Sequence, residues 1–334
     1  MKFSILIPAK LYNSYLSKTL SKLENQKYQN FEVIVILDFK EEIIDKFDDR
    51  FSFVFSGIKS PGEKRNLGIK NSTGDYMCFL DDDAYPSPDW LDVASKNLID
   101  GDIIGVCGPS VTPSESSFLE KVSGSIYESL LVSGPTIYRH IPDKKRFVKD
   151  YPSVNLIISK KILEEVGGFD INFWPGEDTK LCLDIFQKFN KEILYIPELV
   201  VFHYRREVFH PHINQLSRYA FHRGYFARVL PETSKKISYM IPSIFLIYVL
   251  FVPVFLILKN YLLLFPLLIY LILLIFEMFR VYSKTSSIAH TILFGIGVFL
   301  SHLFYGFNFL KGLLIEPKMR LRDINVVTEK YING

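Results

Sequence analysis

The sequence predicts an α/β domain built on a mixed sheet, followed by a C-terminal helical region in the membrane. Three observations carry this prediction. Short apolar runs alternate with amphipathic stretches over residues 1–110, three aspartates (81–83) follow one of these runs, and three apolar segments almost without charge follow residue 236. Apolar runs that alternate with helical patterns indicate a sheet covered by helices, and a membrane-spanning helix needs about 20 apolar residues.

Composition narrows the class of protein. The chain has 334 residues, of which 49% are hydrophobic and 29 are Phe, and its mean hydropathy is +0.16. The 39 basic and 36 acidic side chains nearly balance, which gives a net charge of +3, and a charge this small does not predict nucleic-acid binding. The three cysteines form no CxxC pair. We therefore expect neither a zinc site nor a disulfide framework, and a reducing compartment is the simpler interpretation.

The elements of the N-terminal part follow in order. The patterns predict strands over 3–9, 31–38, 51–56 and 76–80, with helices over 16–26 and 63–72. Residues 110–150 are expected to be loops around one short apolar segment. Next come a strand and a helix over 153–170, a helix within 172–189 and two short apolar runs within 192–207. Pro8, Asp38 and the three aspartates fall at strand ends, where open α/β sheets bind ligands, so we expect one crevice to gather them.

The aspartate run itself has two interpretations. Adjacent like charges repel one another unless a cation or a set of donors compensates them, so Asp81, Asp82 and Asp83 form either a solvated loop or a metal site. A buried strand is predicted to lead straight into the run, which favours the metal site.

The segments after residue 236 predict membrane helices. Residues 239–258 and 287–310 are long enough to span a bilayer, and 261–276 is marginal unless it extends past Glu277. Two groups of basic residues bear on orientation: Lys235, Lys236, Arg280 and Lys284 beside the first two segments, and Lys311, Lys318, Arg320 and Arg322 after the third. The first group favours a cytoplasmic domain by the positive-inside rule, but the second would then be external if all three segments cross. The start, MKFSILIPAKLYN, has too short an apolar run for a signal peptide, which also favours the cytoplasm.

Several stretches, in this order, resemble glycosyltransferase family 2: SILIPA, an Asp at 38 after the second strand, GEKRNLGI, the aspartate run, NLIISKKILEEVGGFD and GEDTKLCLDI. The resemblance covers roughly residues 1–205, and its specificity lies in the co-occurrence and order of the motifs. It implies a GT-A fold and an inverting enzyme that takes a sugar from a nucleotide diphosphate, with a UDP-sugar as the leading donor.

The resemblance also implies roles for residues at the strand ends. The aspartates would form a DxD motif that holds Mg²⁺ or Mn²⁺ against the donor diphosphate, with Asp83 and Asp81 as the metal ligands. The implied nucleotide contacts are Pro8, Ala9, Lys10, Asp38, Arg65, Asn66, Asp81 and Asp82. For Asp38 the alternative is an ordinary turn former, and for Arg65 it is a solvated face shared with Lys64.

GED at 176–178 resembles the motif that holds the catalytic base, which takes the proton of the acceptor hydroxyl. Asp178 is the first choice and Glu177 the second, and the alternative is an acidic helix N-terminus stabilised by the helix dipole. Trp174 and Asn155 are candidate contacts to the sugar, each with a structural alternative.

The region 210–228 is basic and aromatic and precedes the first membrane segment, as an interfacial helix would. Its Gln215, Arg218 and Tyr219 resemble the QxxRW motif of processive family members, with Tyr in place of Trp. Four histidines invite a metal interpretation but lack a zinc-type spacing, so we expect interfacial packing or phosphate contact instead; they are His203, His210, His212 and His222.

Together these patterns predict a multi-pass protein of the cell membrane with a cytoplasmic glycosyltransferase domain. The expected boundaries are 1–208 for that domain, 209–236 for an interfacial helix or linker, 237–312 for two or three membrane helices and 313–334 for a tail. The expected acceptor is membrane-associated, and polyprenyl-linked in the leading hypothesis, because tethering raises its effective concentration. Two alternatives stay open: a processive polysaccharide synthase, against which the lack of a span before residue 1 counts, and a catalytically silent subunit that binds nucleotide sugars.

Overall fold

The computed structural model describes residues 1–40, 43 and 45–317. The described chain divides into two compact units: Met1–Val111 with Pro142–His203, and Thr112–Ile141 with Tyr204–Pro317. From residue 318 onward the predicted tail, with Lys318, Arg320 and Arg322, lies outside the described residues. The domain boundaries expected from the sequence stay predictions.

The first elements form where the sequence patterns place them. They are β1 (Phe3–Pro8), α1 (Ser14–Glu24), β2 (Phe31–Leu37), β3 (Phe51–Phe55), α2 (Pro61–Asn71) and β4 (Tyr76–Phe79). Local signals set both helix starts: Asn13 accepts a hydrogen bond from the Leu16 amide at α1, and Ser60 and Glu63 form a reciprocal capping box at α2. Since β1, β2 and β4 are almost fully buried, their apolar runs are continuous.

The middle of the chain continues the same unit with one insertion. Its elements are β5 (Ala84–Pro86), α3 (Trp90–Asn97), β6 (Gly105–Cys107), β7 (Ser110–Val111), α4 (Phe118–Tyr127), α5 (Leu130–Ser133), β8 (Arg146–Val148), β9 (Leu156–Ser159), α6 (Lys160–Val166), α7 (Glu177–Phe189), β10 (Ile193–Tyr195) and β11 (Val201–His203). Helices α4 and α5 belong to the second unit.

Two sheets position the strand ends. The large sheet has the order β3-β2-β1-β4-β9-β6-β10-β8, and the small sheet has the order β5-β11-β7. Strands β1 to β4 pair in parallel, whereas β9 runs antiparallel between β4 and β6. The prediction of a mixed sheet is therefore confirmed. Residues 80–83 connect a central strand of the large sheet to an edge of the small one.

The expectation of loops over 110–150 is wrong for part of that region. Residues 118–127 form α4, which begins with a capping box between Ser117 and Glu120. The signal was present, since a Ser followed three residues later by Glu precedes apolar residues at helical spacing. The Ser- and Pro-rich stretch just before it directed the interpretation towards a loop.

The second unit contains the apolar helices. They follow α8 (His210–Val229) and α9 (Pro231–Ser234), and are α10 (Ile237–Ile257), α11 (Phe265–Thr285) and α12 (Ile288–Leu314). Among the described residues, three helical segments are long and apolar enough to cross a membrane: Ile237–Ile257, Tyr261–Thr285 and Ile288–Leu314. The second, marginal in the sequence, reaches this length because α11 continues past Glu277, whose carboxylate pairs with Arg280 at 2.8 Å.

Candidate active site

The three aspartates lie in the turn between β4 and β5. β4 is buried up to Phe79, and the Ala84 amide donates to the Asp81 carbonyl at 3.2 Å, which closes the turn. The side chains of Asp81 and Asp83 stay partly exposed, at 32% and 13%. A turn that joins two sheets thus presents carboxylates at the carboxyl end of a central strand, where such folds bind ligands.

His203 joins two of these aspartates. It ends β11 and pairs opposite Ala84 on β5, and its Nε2 lies 3.1 Å from Asp83 Oδ1. One ligand atom from each of Asp81, Asp83 and His203 lies within 4.8 Å of the other two. Carboxylate oxygens suit Mg²⁺ and Mn²⁺, and imidazole is a ligand of transition metals. This donor set fits a divalent cation.

The grouping corrects the expectation for His203, which the sequence assigned to interfacial packing or phosphate contact. Its only sequence signal was its position at the end of an apolar run, 120 residues after Asp83 by its numbering. The pairing of β11 with β5 is what brings the two together.

Arg65 connects the aspartate turn to α7. Its Nη2 donates to Asp81 Oδ1 at 3.0 Å, and its Nη1 donates to Glu177 Oε1 at 2.8 Å. Burial alone would lower the pKa of Arg65, but the carboxylates of Asp81 and Glu177 outweigh it and raise that pKa. Arg65 is 4% exposed, so the alternative of a solvated face is wrong for it.

Lys64 bonds the residues that follow β1 and β2. Its Nζ lies 2.5 Å from Asp38 Oδ1 and donates to the Ala9 carbonyl at 2.5 Å. Burial lowers the pKa of Lys64, against the opposing effect of Asp38. Lys10 is exposed beside them and Pro8 is partly exposed. The structure thus brings together Ala9 and Asp38, two of the implied nucleotide contacts, with the Asp38 carboxylate facing Lys64.

Asn66 has a different task from the nucleotide contact that the resemblance implies. Its Nδ2 donates to the Phe169 carbonyl at 2.8 Å, and its Oδ1 accepts from the Phe169 amide at 2.8 Å. This pair of bonds fixes the chain just after Gly168, which has a φ of +78° and no room for a Cβ beside Asn66. Both polar atoms of the Asn66 side-chain amide therefore bond the backbone of Phe169.

Glu177 and Asp178 begin α7 in different surroundings. Glu177 is buried, and burial raises its pKa against the opposing effect of Arg65. Asp178 is partly exposed; its Oδ2 accepts from the Ser153 amide at 3.3 Å and its Oδ1 from the Thr179 amide at 2.7 Å. Of the two carboxylates, Asp178 is the more accessible to a substrate.

Asn155 is not placed to contact a sugar. It is fully buried, its Oδ1 accepts from Trp90 Nε1 at 2.9 Å, and its Nδ2 donates to the carbonyls of Gly108 and Leu199, each at 2.7 Å. Its amide therefore joins strand ends inside the domain. Trp174 is partly exposed just before α7, so its predicted sugar contact stays open.

The remaining predicted residues belong to the second unit. Gln215 Nε2 lies 3.5 Å from the Tyr219 hydroxyl, and Tyr219 is 52% exposed. Arg218 is exposed on the same helix. Whether these side chains contact an acceptor stays a prediction.

A mixed sheet with carboxylates at the end of its central strand defines a domain of the GT-A class. The fold resembles that of a solved structure, the mannosyltransferase PcManGT from Pyrobaculum calidifontis in complex with GDP-Man and Mn²⁺. The TM-score is 0.53 at 15% identity, over 95% of this chain and 88% of that one.

Residues 4–167 match the sequence model of glycosyl transferase family 2, and the chain carries a domain of that family. The glucosyl-dolichyl phosphate glucuronosyltransferase of Haloferax volcanii is 22% identical over 275 residues, which cover 75% of this chain and 85% of that protein. The glycosyltransferase GlyA of Streptococcus pneumoniae is 23% identical over 61% of this chain and 31% of its own length.

Proposed function

We propose that this chain transfers a sugar from a nucleoside-diphosphate sugar to a membrane-associated acceptor, with inversion and with the help of a divalent cation. One observation carries the proposal: Arg65 ties the Asp81, Asp83 and His203 cluster to the start of α7, where Asp178 is partly exposed. A cation site can stabilise the charge that develops on the leaving group of a single displacement at an anomeric carbon, and a base can take the proton of the attacking hydroxyl.

Asp81, Asp83 and His203 would hold the cation. A divalent cation bound there supplies positive charge for the leaving diphosphate. The imidazole favours Mn²⁺ over Mg²⁺, because Mg²⁺ takes oxygen ligands almost exclusively in proteins. The guanidinium of Arg65 stays charged beside Asp81, since its pKa is raised, and it keeps that carboxylate oriented.

Asp178 is the proposed base. Its carboxylate takes the proton of the acceptor hydroxyl as the hydroxyl oxygen bonds to the anomeric carbon. The bond between that carbon and the diphosphate oxygen breaks, and the nucleoside diphosphate leaves with the electron pair. Because one displacement occurs without a covalent intermediate, the anomeric configuration inverts. Glu177 positions this end of α7 through its bond to Arg65.

The acceptor is proposed to be a polyprenyl-linked phosphate or glycan, and the donor a UDP-sugar. The apolar helices α10 and α11 support membrane anchorage, and anchorage concentrates a lipid-linked acceptor. The name of the Haloferax relative includes a dolichyl phosphate. Lys235, Lys236, Arg280 and Lys284 favour a cytoplasmic catalytic domain.

The test is release of nucleoside diphosphate by the full chain in detergent. UDP- and GDP-sugars would be screened with Mn²⁺, with Mg²⁺ and with EDTA. Asp178→Asn is expected to lower turnover by about 10²–10⁴-fold, the range for removing an acid–base group, with nucleotide binding kept. The matched control is Asp184→Asn, on the same helix, whose carboxylate pairs with Lys180 at 2.5 Å.

Three outcomes would count against parts of the proposal. Unchanged turnover in Asp178→Asn removes the base assignment. Nucleotide binding without any turnover in the unaltered chain supports the silent subunit. A product that grows by many sugars supports a processive synthase.

A further inference from the structure

We propose that a cleft between the end of α4 and the end of α11 binds the headgroup of phosphatidylethanolamine, a phospholipid that carries both a phosphate and a primary ammonium. Arg280 and Lys284 bind the phosphate, and the carboxylate of Glu128 binds the ammonium. This proposal rests on the membrane anchorage proposed above and adds a specific lipid partner of the anchor.

The cleft lies where the residue after α4 meets the last turns of α11. Arg280 Nη2 donates to the Glu128 carbonyl at 2.9 Å and so joins the two elements. Val281 belongs to the apolar cluster that also contains Val122 and Ile126 of α4. Six residues line the cleft: Ser125, Glu128, Arg280, Val281, Lys284 and Thr285. All of them belong to the second unit, so the cleft is built within one compact part of the chain.

The composition of α11 puts this cleft at the level of the lipid headgroups. No charged residue occurs from Phe265 to Phe276, and the charges then follow in the last turns of the helix. Exposed apolar side chains continue as far as Phe279, and Tyr282 is exposed one turn before the end. Tyrosine is enriched where the hydrocarbon meets the headgroups, and a membrane helix carries its charges beyond that boundary. Lipid headgroups are therefore the molecules that this cleft faces.

Two cations lie on one side of α11 in the cleft. Arg280 and Lys284 are four residues apart, so they are neighbours on the helix surface. The buried carboxylate of Glu277 accepts from Arg280 Nη2 at 2.8 Å and holds the guanidinium in place. Among the described residues, Arg280 Nε is buried without a hydrogen-bond partner, and the side chain of Lys284 makes no hydrogen bond or ion pair. Both cations therefore keep donors for the oxygens of a phosphate.

Glu128 gives the cleft an anionic group as well. Its side chain is partly exposed, and within the described part of the chain its carboxylate accepts no hydrogen bond. Burial raises the pKa of Glu128, against the opposing effects of Lys284, Arg205 and Arg280. Since burial disfavours the charged form of a carboxyl group and a nearby cation favours it, an ammonium brought by a ligand would stabilise the ionised form. The cleft thus offers a site for a cation beside its site for a phosphate.

These charges distinguish between lipid headgroups. When Arg280 is counted with Glu277 as a neutral pair, Lys284 and Glu128 leave one charge of each sign. A headgroup whose only charge is its phosphate would place an anion near the Glu128 carboxylate and leave that carboxylate without a partner. A headgroup with a phosphate and an ammonium complements both charges. The ammonium of ethanolamine has three N–H donors for the carboxylate, as a lysine has, whereas the quaternary ammonium of choline has none.

The test is native mass spectrometry of the full chain in detergent, titrated with phospholipids of identical palmitoyl and oleoyl chains. The probes are the phosphatidylethanolamine, the phosphatidylcholine, which lacks the N–H donors, and the phosphatidylglycerol, which lacks the ammonium. A polyprenyl phosphate is titrated in parallel, because it separates this cleft from a site for the proposed acceptor. Donor turnover and thermal unfolding are measured on the same preparations.

We expect the phosphatidylethanolamine to bind at least about tenfold more tightly than the other two phospholipids, because one hydrogen bond to a charged group is worth that factor. Glu128→Gln keeps the carbonyl that Arg280 bonds and should abolish the preference over phosphatidylglycerol. Lys284→Ala should weaken the binding of all three phospholipids. The matched controls are Glu232→Gln and Lys259→Ala, at exposed positions outside the cleft, and both should leave lipid binding unchanged.

Equal affinities of the three phospholipids for the unaltered chain would overturn the proposal, and so would a preference that survives in both Glu128→Gln and Lys284→Ala. If the polyprenyl phosphate binds more tightly than the phosphatidylethanolamine and Lys284→Ala weakens it, the proposal is also wrong and the cleft belongs to the acceptor. In each of these cases donor turnover by the unaltered chain leaves the proposed function standing. Selective lipid binding without donor turnover would instead count against the proposed function and support the lipid site.

Discussion

Arg65 Nη1 donates a 2.8 Å hydrogen bond to Glu177 Oε1, which joins positions 112 residues apart in the chain. Both side chains are buried, and the other end of the guanidinium holds Asp81. One arginine therefore satisfies two carboxylates from different elements, so that α2, β4 and α7 keep their places around the candidate active site.

Replacing Arg65 is expected to cost stability as well as turnover. Arg65→Met leaves the Glu177 carboxylate buried without its partner, and breaking such a pair costs about 3–5 kcal/mol. Thermal unfolding of the full chain in detergent measures the loss. The control is Arg50→Met, which breaks the more exposed pair with Asp48 and is expected to cost under about 1 kcal/mol. Equal losses in the two variants would refute a special role for Arg65.

His203→Ala is expected to weaken cation binding selectively. The imidazole lies 3.1 Å from Asp83 and belongs to the group that could hold a metal ion, so its removal should raise the Mn²⁺ concentration needed for half-maximal turnover at least about tenfold. Direct Mn²⁺ titration by electron paramagnetic resonance gives a readout independent of turnover. His210→Ala removes an exposed imidazole that contacts Asn214, and it should leave the Mn²⁺ dependence unchanged. A parallel change in both variants would exclude His203 as a ligand.

The contact of α8 with α12 depends on two glycines. A Cβ on Gly312 would lie 1.9 Å from the Phe221 carbonyl oxygen, and one on Gly224 would lie 2.1 Å from that of Phe309. Since these neighbours are backbone atoms, Gly312→Ala and Gly224→Ala should each destabilise the chain by about 1–3 kcal/mol through overpacking. Thermal unfolding measures the loss. Gly101→Ala, at a glycine with nothing within 4 Å, should be nearly neutral, and similar behaviour of all three would contradict the packing argument.

His212 should make stability depend on pH. Burial, with a smaller effect of Arg205, lowers the pKa of His212 to about 4; its ring bonds Ser123 and Ser301. A histidine in the unfolded chain has a pKa of about 6.5, so between pH 6.5 and pH 4 the ring of residue 212 is protonated in the unfolded chain and neutral in the folded one. The free energy of unfolding therefore falls as pH falls, by at most about 1.4 kcal/mol per pH unit. Melting temperatures of the full chain from pH 7 to pH 4 measure this.

The matching variant is His212→Gln, which removes the titrating ring. Its melting temperature should fall less steeply with pH than that of the unaltered chain. Some dependence will remain, because burial also lowers the pKa of His222 to about 4. Identical slopes in the two proteins would show that His212 does not contribute.

Local sequence patterns were sufficient to predict the strands and the aspartate turn. The run before Asp81 is apolar over its whole length, and the buried strand β4 forms there. The bounds of β1 to β4 fall within a residue or two of the predicted ones, because each strand is a short apolar run bounded by polar residues.

Contacts between residues that are far apart in the sequence could not be predicted from such local patterns. His203 joins the aspartates only through the pairing of β11 with β5, which leaves no mark in either segment. Lys64 and Arg65 look like a solvated pair in the sequence, yet both are buried against carboxylates from other elements. Asn155 looks available for a sugar, but three of its bonds go to backbone carbonyls.

The pairing of His203 with Ala84 makes the length of the aspartate turn as important as its composition. Side chains alternate between the two faces of a strand, so a shift of one residue between β5 and β11 turns each side chain to the opposite face. Inserting one residue among positions 81–83 would therefore separate the imidazole from Asp83 even with every carboxylate still present. Changes of loop length at this turn should abolish cation binding more completely than the replacement of any single ligand.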